Sequence, residues 1–195
     1  EGRAEEAFAY ADVYELHAGW KQHPRYIPWR SLKAQALDRL GRQDEALELA
    51  CEELEIARRW GSPGTVGRSL RVLGTILRGD GIAPLEEACG LLEQAPARLE
   101  HAKALAALGA ALLRERRPTE AREPLRRAFE LADVCGAQSL ADFVRTEIYA
   151  TGARPRTPAL RGVLALTASE RRVADLAAEG QTNRDIAQAL YVTPK

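Results

Sequence analysis

The chain has 195 residues, and its 28 Lys and Arg balance 28 Asp and Glu, so the formal net charge is zero. With 46% hydrophobic residues it can bury a core, which excludes a disordered tail. The charge balance excludes a uniformly basic nucleic-acid coat but leaves room for a local basic face. Ala, Leu, Glu and Arg dominate and β-branched residues never alternate over a strand's length, so helix is predicted throughout. Punctuation at Gly41, Gly61-Ser62-Pro63-Gly64, Gly79 to Gly81, Pro96, Pro118 and Gly136 separates the apolar-periodic stretches. It predicts helices over 3–19, 27–40, 43–60, 65–78, 84–94, 97–115, 118–134 and 137–150. The segment 151–165 opens with two prolines, a glycine and two arginines in eight residues, which predicts a linker and a domain boundary. Beyond it, Thr167 and Glu170 make a capping box for a helix stopped by Gly180. Thr182 and Asp185 make a second box, and Thr193-Pro194 opens a third helix.

Apolar runs are short and broken by Arg and Glu, which predicts no membrane span. The opening Glu1-Gly2-Arg3-Ala4-Glu5-Glu6 has no apolar leader segment, and no methionine occurs anywhere. The chain is therefore expected to be a piece of a longer protein. Cys51, Cys89 and Cys135 are widely spaced and odd in number, which predicts a cytoplasmic setting. Each is expected to be a small core residue rather than a nucleophile.

The helices repeat. Leu70-Arg71-Val72-Leu73-Gly74-Thr75-Ile76-Leu77 and Leu105-Ala106-Ala107-Leu108-Gly109-Ala110-Ala111-Leu112 share the pattern L-x-x-L-G-x-x-L, 35 residues apart. Leu at these spacings makes one apolar stripe, and glycine admits a close partner helix. Glu-Ala opens the helices that follow, at Glu45-Ala46, Glu87-Ala88 and Glu120-Ala121, with Glu6-Ala7 as a candidate fourth copy. The alanines, stepping by 39, 42 and 33 residues, are expected to face the glycine contacts. Gly109 to Ala121 spans 12 residues and Ala128 falls on the next small position, so the region resembles a degenerate tetratricopeptide array. Steps of 39 and 42 depart from that family's usual period. The fold expected is all-α, with stacked antiparallel helical hairpins over 1–150; an ordinary helix bundle is the alternative.

Two short helices, a tight turn and a third helix beginning follow the helix-turn-helix plan. Leu166 to Lys195 reads LTASERRVADLAAEGQTNRDIAQALYVTPK, with Leu166-Thr167, Glu170, Val173, Leu176, Gly180, Thr182-Asn183, Ile186-Ala187, Leu190 and Val192 in place. This segment resembles the first half of a LuxR-type DNA-binding domain. Joined to helical repeats by a proline linker, it is similar to the C-terminal part of the large ATP-binding, MalT-like LuxR regulators. The resemblance implies a transcriptional regulator whose repeats take a protein or small-molecule effector and whose 166–195 segment contacts DNA. It implies that Thr182 and Asn183 lie near the DNA backbone, that Thr193 caps the recognition helix and that Lys195 reaches a phosphate. Simple helix capping is the alternative role for Thr182 and Asn183. The recognition helix would continue past Lys195, so the chain as it stands is not expected to read DNA. No G-x-x-x-x-G-K-[ST] occurs, so ATP is expected only in a module upstream and no cofactor here. A homodimer is left open by the sequence.

Two further features were weighed for function. Tyr10, Tyr14, Trp20, Tyr26 and Trp29, with Phe8, supply six of the eleven aromatic residues. They are expected to pack as core between the first helices, with a ligand or partner pocket as the alternative. Residues 154–195 hold seven basic against four acidic side chains, a mild excess suited to a DNA-facing module. Enzymatic readings find no footing: His17, His23 and His101 lack metal-ligand spacing, and Glu52-Glu53 and Glu86-Glu87 are helical neighbours that point apart. No catalytic or metal residue is assigned. The rival to a regulator is a stand-alone repeat scaffold for a peptide or protein.

Overall fold

The computed structural model describes residues 3–17, 27–152, 173–174, 176–178 and 180–190. Its helices are α1 (Ala4–His17), α2 (Trp29–Arg39), α3 (Gln43–Trp60), α4 (Pro63–Leu77), α5 (Ile82–Glu93), α6 (Arg98–Arg114), α7 (Pro118–Val134), α8 (Gln138–Ala150) and α9 (Asn183–Ala189). A 3-10 turn, Arg78–Gly81, joins α4 directly to α5. The chain divides into two compact units, Glu1–Pro155 and Arg156–Lys195. The fold is all-α, and no strand occurs among the described residues. The helices stop where the sequence supplies left-handed glycine: Gly41, Gly61 and Gly136 have φ of 79°, 70° and 66°. Pro63 and Pro118 stand in the first turns of α4 and α7, where the missing amide costs nothing.

In unit 1, α2–α3, α4–α5 and α6–α7 are antiparallel hairpins, and each hairpin packs on the next through α3–α4, α5–α6 and α7–α8. The first helices of successive hairpins also touch, α2 on α4, α4 on α6 and α6 on α8. This is the contact pattern of a stacked array rather than of a closed bundle. The Leu stripe is buried at Leu70, Leu73, Leu105, Leu108 and Leu112, with Leu77 half-buried. A Cβ on Gly74 would sit 2.7 Å from Leu85 Cγ, and one on Gly109 would be driven into Leu125. Both glycines are therefore close-contact positions.

The contacts correct two details of the repeat. Leu85 meets Gly74 as Leu125 meets Gly109, so the counterpart of Ala88 is Ala128, not Ala121. The cause is the connection: the 3-10 turn runs straight into α5, whereas α6 and α7 are separated by a looser Glu115-Arg116-Arg117 turn. Ala46, Ala88 and Ala121 are nonetheless all fully buried. Glu6-Ala7 is not a fourth copy. Ala7 is exposed, and α1 packs on α2 alone, with Ala11 as its buried small residue.

A longer correspondence emerges at a spacing of 75 residues. The Arg42 amide donates to Leu37 O and the Arg117 amide to Leu112 O, each at 2.9 Å. Arg42 then grips Glu45 with two bonds of 2.7 and 2.6 Å, and Arg117 grips Glu120 with two of 2.8 and 2.6 Å. Left-handed Gly41 is matched by Arg116 at φ 57°. The hairpins α2–α3 and α6–α7 thus share one turn, and their buried positions pair as Ala46 with Ala121, Leu54 with Phe129 and Ala57 with Ala132.

Unit 2 is described over two helical stretches, 173–178 with one residue left out and α9, joined at Gly180. Gly180 has φ of 82°, and the Gln181 amide closes the turn on Leu176 O at 3.2 Å. Ile186 and Ala187 are buried, Leu176 and Leu190 are half-buried, and Val173 is exposed. No helix among the described residues is long and apolar enough to cross a membrane.

Candidate functional site

The aromatic residues of the first helices do not form one cluster. Trp29 is buried at 5% exposure, as expected, and Arg30 lies over its ring at 4.3 Å. Tyr10 and Tyr14, expected in the core, are exposed at 70% and 46%. The reason is the facing of α1: Phe8 and Ala11 turn toward the array, and Asp12 and Glu15 hold Lys33 of α2 at 2.5 and 2.6 Å. That leaves Tyr10 and Tyr14 on the far side of the helix. Lys33 and Arg42 both lie over the Phe8 ring, at 5.0 and 5.3 Å. Trp20 and Tyr26 lie outside the described residues.

Sequence reasoning missed a buried polar seam in the first half of the array. Glu53 on α3 is 1% exposed and accepts a hydrogen bond from Ser31 Oγ at 3.4 Å. Burial pushes its carboxyl above the usual range, against the pull of Arg30 and Arg68. Buried Arg30 pairs with Glu52 at 3.0 Å. One hairpin on, Arg71 pairs with Glu100 at 3.2 Å, and Lys103 joins Glu100 at 2.8 Å. Burial works to raise the Glu100 carboxyl, but Arg71 and Lys103 hold it below its ordinary value. The signal was present in the 75-residue spacing: Arg30, Lys33 and Glu53 occupy the places of Leu105, Leu108 and Ala128.

A concave site lies further along. The end of α5, the connection through Pro96, the first turn of α6 and the last turns of α7 surround an open cleft of about 750 Å³. His101 lines it at 7% exposure, and its Nε2 is buried without a hydrogen-bond partner. Burial, and then the charge of Arg127, hold the imidazole below its ordinary pKa, so it is neutral at pH 7. Arg127 Nη2 reaches Glu93 Oε1 at 2.6 Å beside the cleft, tying α7 to α5. The sequence reading considered His101 only as a metal ligand. Its lining role was not legible, because the residues around it come from three helices.

The cysteines differ from expectation as well. Cys51 and Cys135 are exposed, because the apolar stripe passes beside them rather than through them. Cys89 is half-buried, and burial pushes its thiol up to about 12, which leaves it protonated and unreactive at neutral pH. Among the described residues no group of three or more His, Cys, Asp or Glu side chains converges as a metal site would.

In unit 2 the Thr182 hydroxyl and the Asp185 carboxylate lie 2.5 Å apart. The Thr182 amide donates to Asp185 Oδ2 at 3.3 Å, and the Asp185 amide donates to Thr182 Oγ1 at 3.4 Å. This is a reciprocal capping box, so capping accounts for Thr182. Asn183 is the first residue of α9. Thr193 and Lys195 lie outside the described residues. The chain matches no family model, no curated protein sequence and no solved structure.

Proposed function

We propose that the chain is the repeat and DNA-contacting part of a cytoplasmic transcriptional regulator of the LuxR type, resembling the large MalT-like members. The observation that carries this reading is the turn in unit 2. Left-handed Gly180, the Thr182–Asp185 box and buried Ile186 and Ala187 start a second short helix from a tight turn. A helix-turn-helix needs that local geometry. It stands inside the LuxR-like segment Leu166 to Lys195.

In this reading Thr182 and Asn183 lie beside the DNA backbone, Thr193 caps the recognition helix and Lys195 meets a phosphate. Such contacts position a protein on DNA, while the side chains that read bases follow Lys195. The repeats of unit 1 take the effector or protein partner, whose binding changes how unit 2 is presented. ATP belongs to a module upstream. Homodimerisation through the repeats is compatible with the same scheme.

Selection from a randomised duplex pool, followed by salt-titrated binding of the selected and a scrambled duplex, tests this. Residues 1–195 are compared with the chain extended through its encoded continuation. The extended chain is expected to prefer the selected duplex, and residues 1–195 to bind both alike, with affinity that falls as salt rises. Sequence-selective binding by residues 1–195 would overturn the division of labour. Failure of the extended chain to bind any duplex would leave a repeat scaffold for a peptide or protein.

A further inference from the structure

We propose that the cleft between α5, α6 and α7 binds a small organic anion, a carboxylate or phosphate joined to an apolar body. Arg98 and Arg127 take the charged end, His101 donates to it from beneath, and Leu92, Leu131 and Val134 cover the apolar end. The inference deepens the effector half of the function proposed above. It is measured without DNA, so either can fail while the other stands.

The charge distribution selects an anion. Arg98 is exposed, lines the cleft and makes no ion pair among the described residues. Glu130 at the rim is taken up by Arg126 at 2.5 Å, which points its charge away. Arg127 is held by Glu93, but the two side chains are 37% and 58% exposed. An exposed pair of this kind is weak and exchanges readily with a competing anion. At its N-terminus α6 carries Ala97 at the cap position, with no side-chain cap on its first-turn amides, so the helix end adds positive potential.

His101 supplies the second, independent observation. A buried imidazole nitrogen without a partner is unfavourable in a finished protein interior, and it lies against the one wall where a ligand would sit. As a neutral imidazole carrying its proton on Nε2, it donates to an anion without an added charge. The apolar lining explains the rest: Val134 is 69% exposed at the rim while Leu92 is buried at the floor. A cavity near 750 Å³ is the size of a small-molecule site, not of a flat protein interface.

The test is titration of the full chain with octanoate, octyl phosphate, 1-octanol and inorganic phosphate by calorimetry, with imidazole nitrogen spectra followed in parallel. Octanoate or octyl phosphate is expected to bind and to move the His101 signals, the tighter of the two identifying the head group. Octanol and inorganic phosphate should bind at least about tenfold more weakly, since each lacks one half of the ligand. Arg98→Ala should weaken octanoate binding about tenfold, and Glu93→Gln, which frees Arg127, should tighten it. Both substitutions are at exposed positions, so they remain readable if His101→Ala fails to fold. Octanol binding as tightly as octanoate, unmoved His101 signals, or Arg98→Ala and Glu93→Gln both matching the parent chain would overturn the proposal. Absence of binding by both octanoate and octyl phosphate would do the same.

Discussion

Hairpins α2–α3 and α6–α7 share a turn, a spacing and their small buried residues, yet their interiors differ in chemistry. Where α6–α7 carries Leu105, Leu108 and Ala128, α2–α3 carries Arg30, Lys33 and Glu53. Volume is traded too: Gly109 admits Leu125 in the one, and Ala34 and Ala50 are both fully buried in the other. The shared features are those that govern the path of the backbone. The differing ones follow what covers each hairpin. The third hairpin meets an apolar face of α8 through Ala141, Val144 and Ile148. The first meets α1, whose Asp12 and Glu15 demand a cation and find Lys33.

Moving the polar chemistry to the wrong hairpin should have the largest effect. Ala128→Glu places a carboxyl among Leu105, Leu125, Phe129 and Val144, with no base among the buried residues of that cluster. It should cost more than about 4 kcal/mol, as an unpaired buried charge does. Urea unfolding measures it, and a loss below about 1 kcal/mol would show that the third hairpin tolerates the interior of the first.

Volume comes next. Gly109→Ala puts a methyl group into Leu125 and should cost about 1–3 kcal/mol by overpacking. With Leu125→Ala added, which copies the Ala34 and Ala50 arrangement, part of that cost should disappear. The double-mutant cycle should then show a coupling of about 1 kcal/mol or more, whereas additive losses would mean that the two hairpins do not trade volume.

The smallest effect is a pH dependence at Glu53. Its folded carboxyl titrates above the ordinary value because it is buried. A raised acid supports folding when protonated, so its contribution is fully present below the unfolded value of about 4.3 and is lost as pH rises through the folded value. The stability of the parent chain minus that of the Glu53→Gln variant should therefore fall from acid toward neutral pH and then level off. A difference independent of pH would mean that Arg30 and Arg68 cancel the effect of burial.

Much of the array was legible along the chain. Gly41, Gly61, Gly136, Pro63 and Pro118 marked helix ends within a few residues, because a left-handed glycine and a first-turn proline act through local backbone sterics. Gly74 and Gly109 announced close contacts for the same reason, and Thr182 with Asp185 announced a cap. What went unread depended on partners distant in sequence. Tyr10 and Tyr14 look like core by composition, but Lys33 on another helix decides which side of α1 turns inward. The Ala88 register slipped because the length of the α4–α5 connection is a property of two packed helices, not of either sequence motif.

The amino-acid sequence by itself determined the helices, their ends and the hairpin repeat, since each follows from interactions within a turn or two of the chain. Only the tertiary structure decided the 75-residue pairing of hairpins, the buried seam around Glu53 and the cleft at His101. Those depend on side chains brought together from as many as three helices. A charge on an apolar stripe or a histidine at a helix start acquires its meaning only when its neighbours across the packing are known.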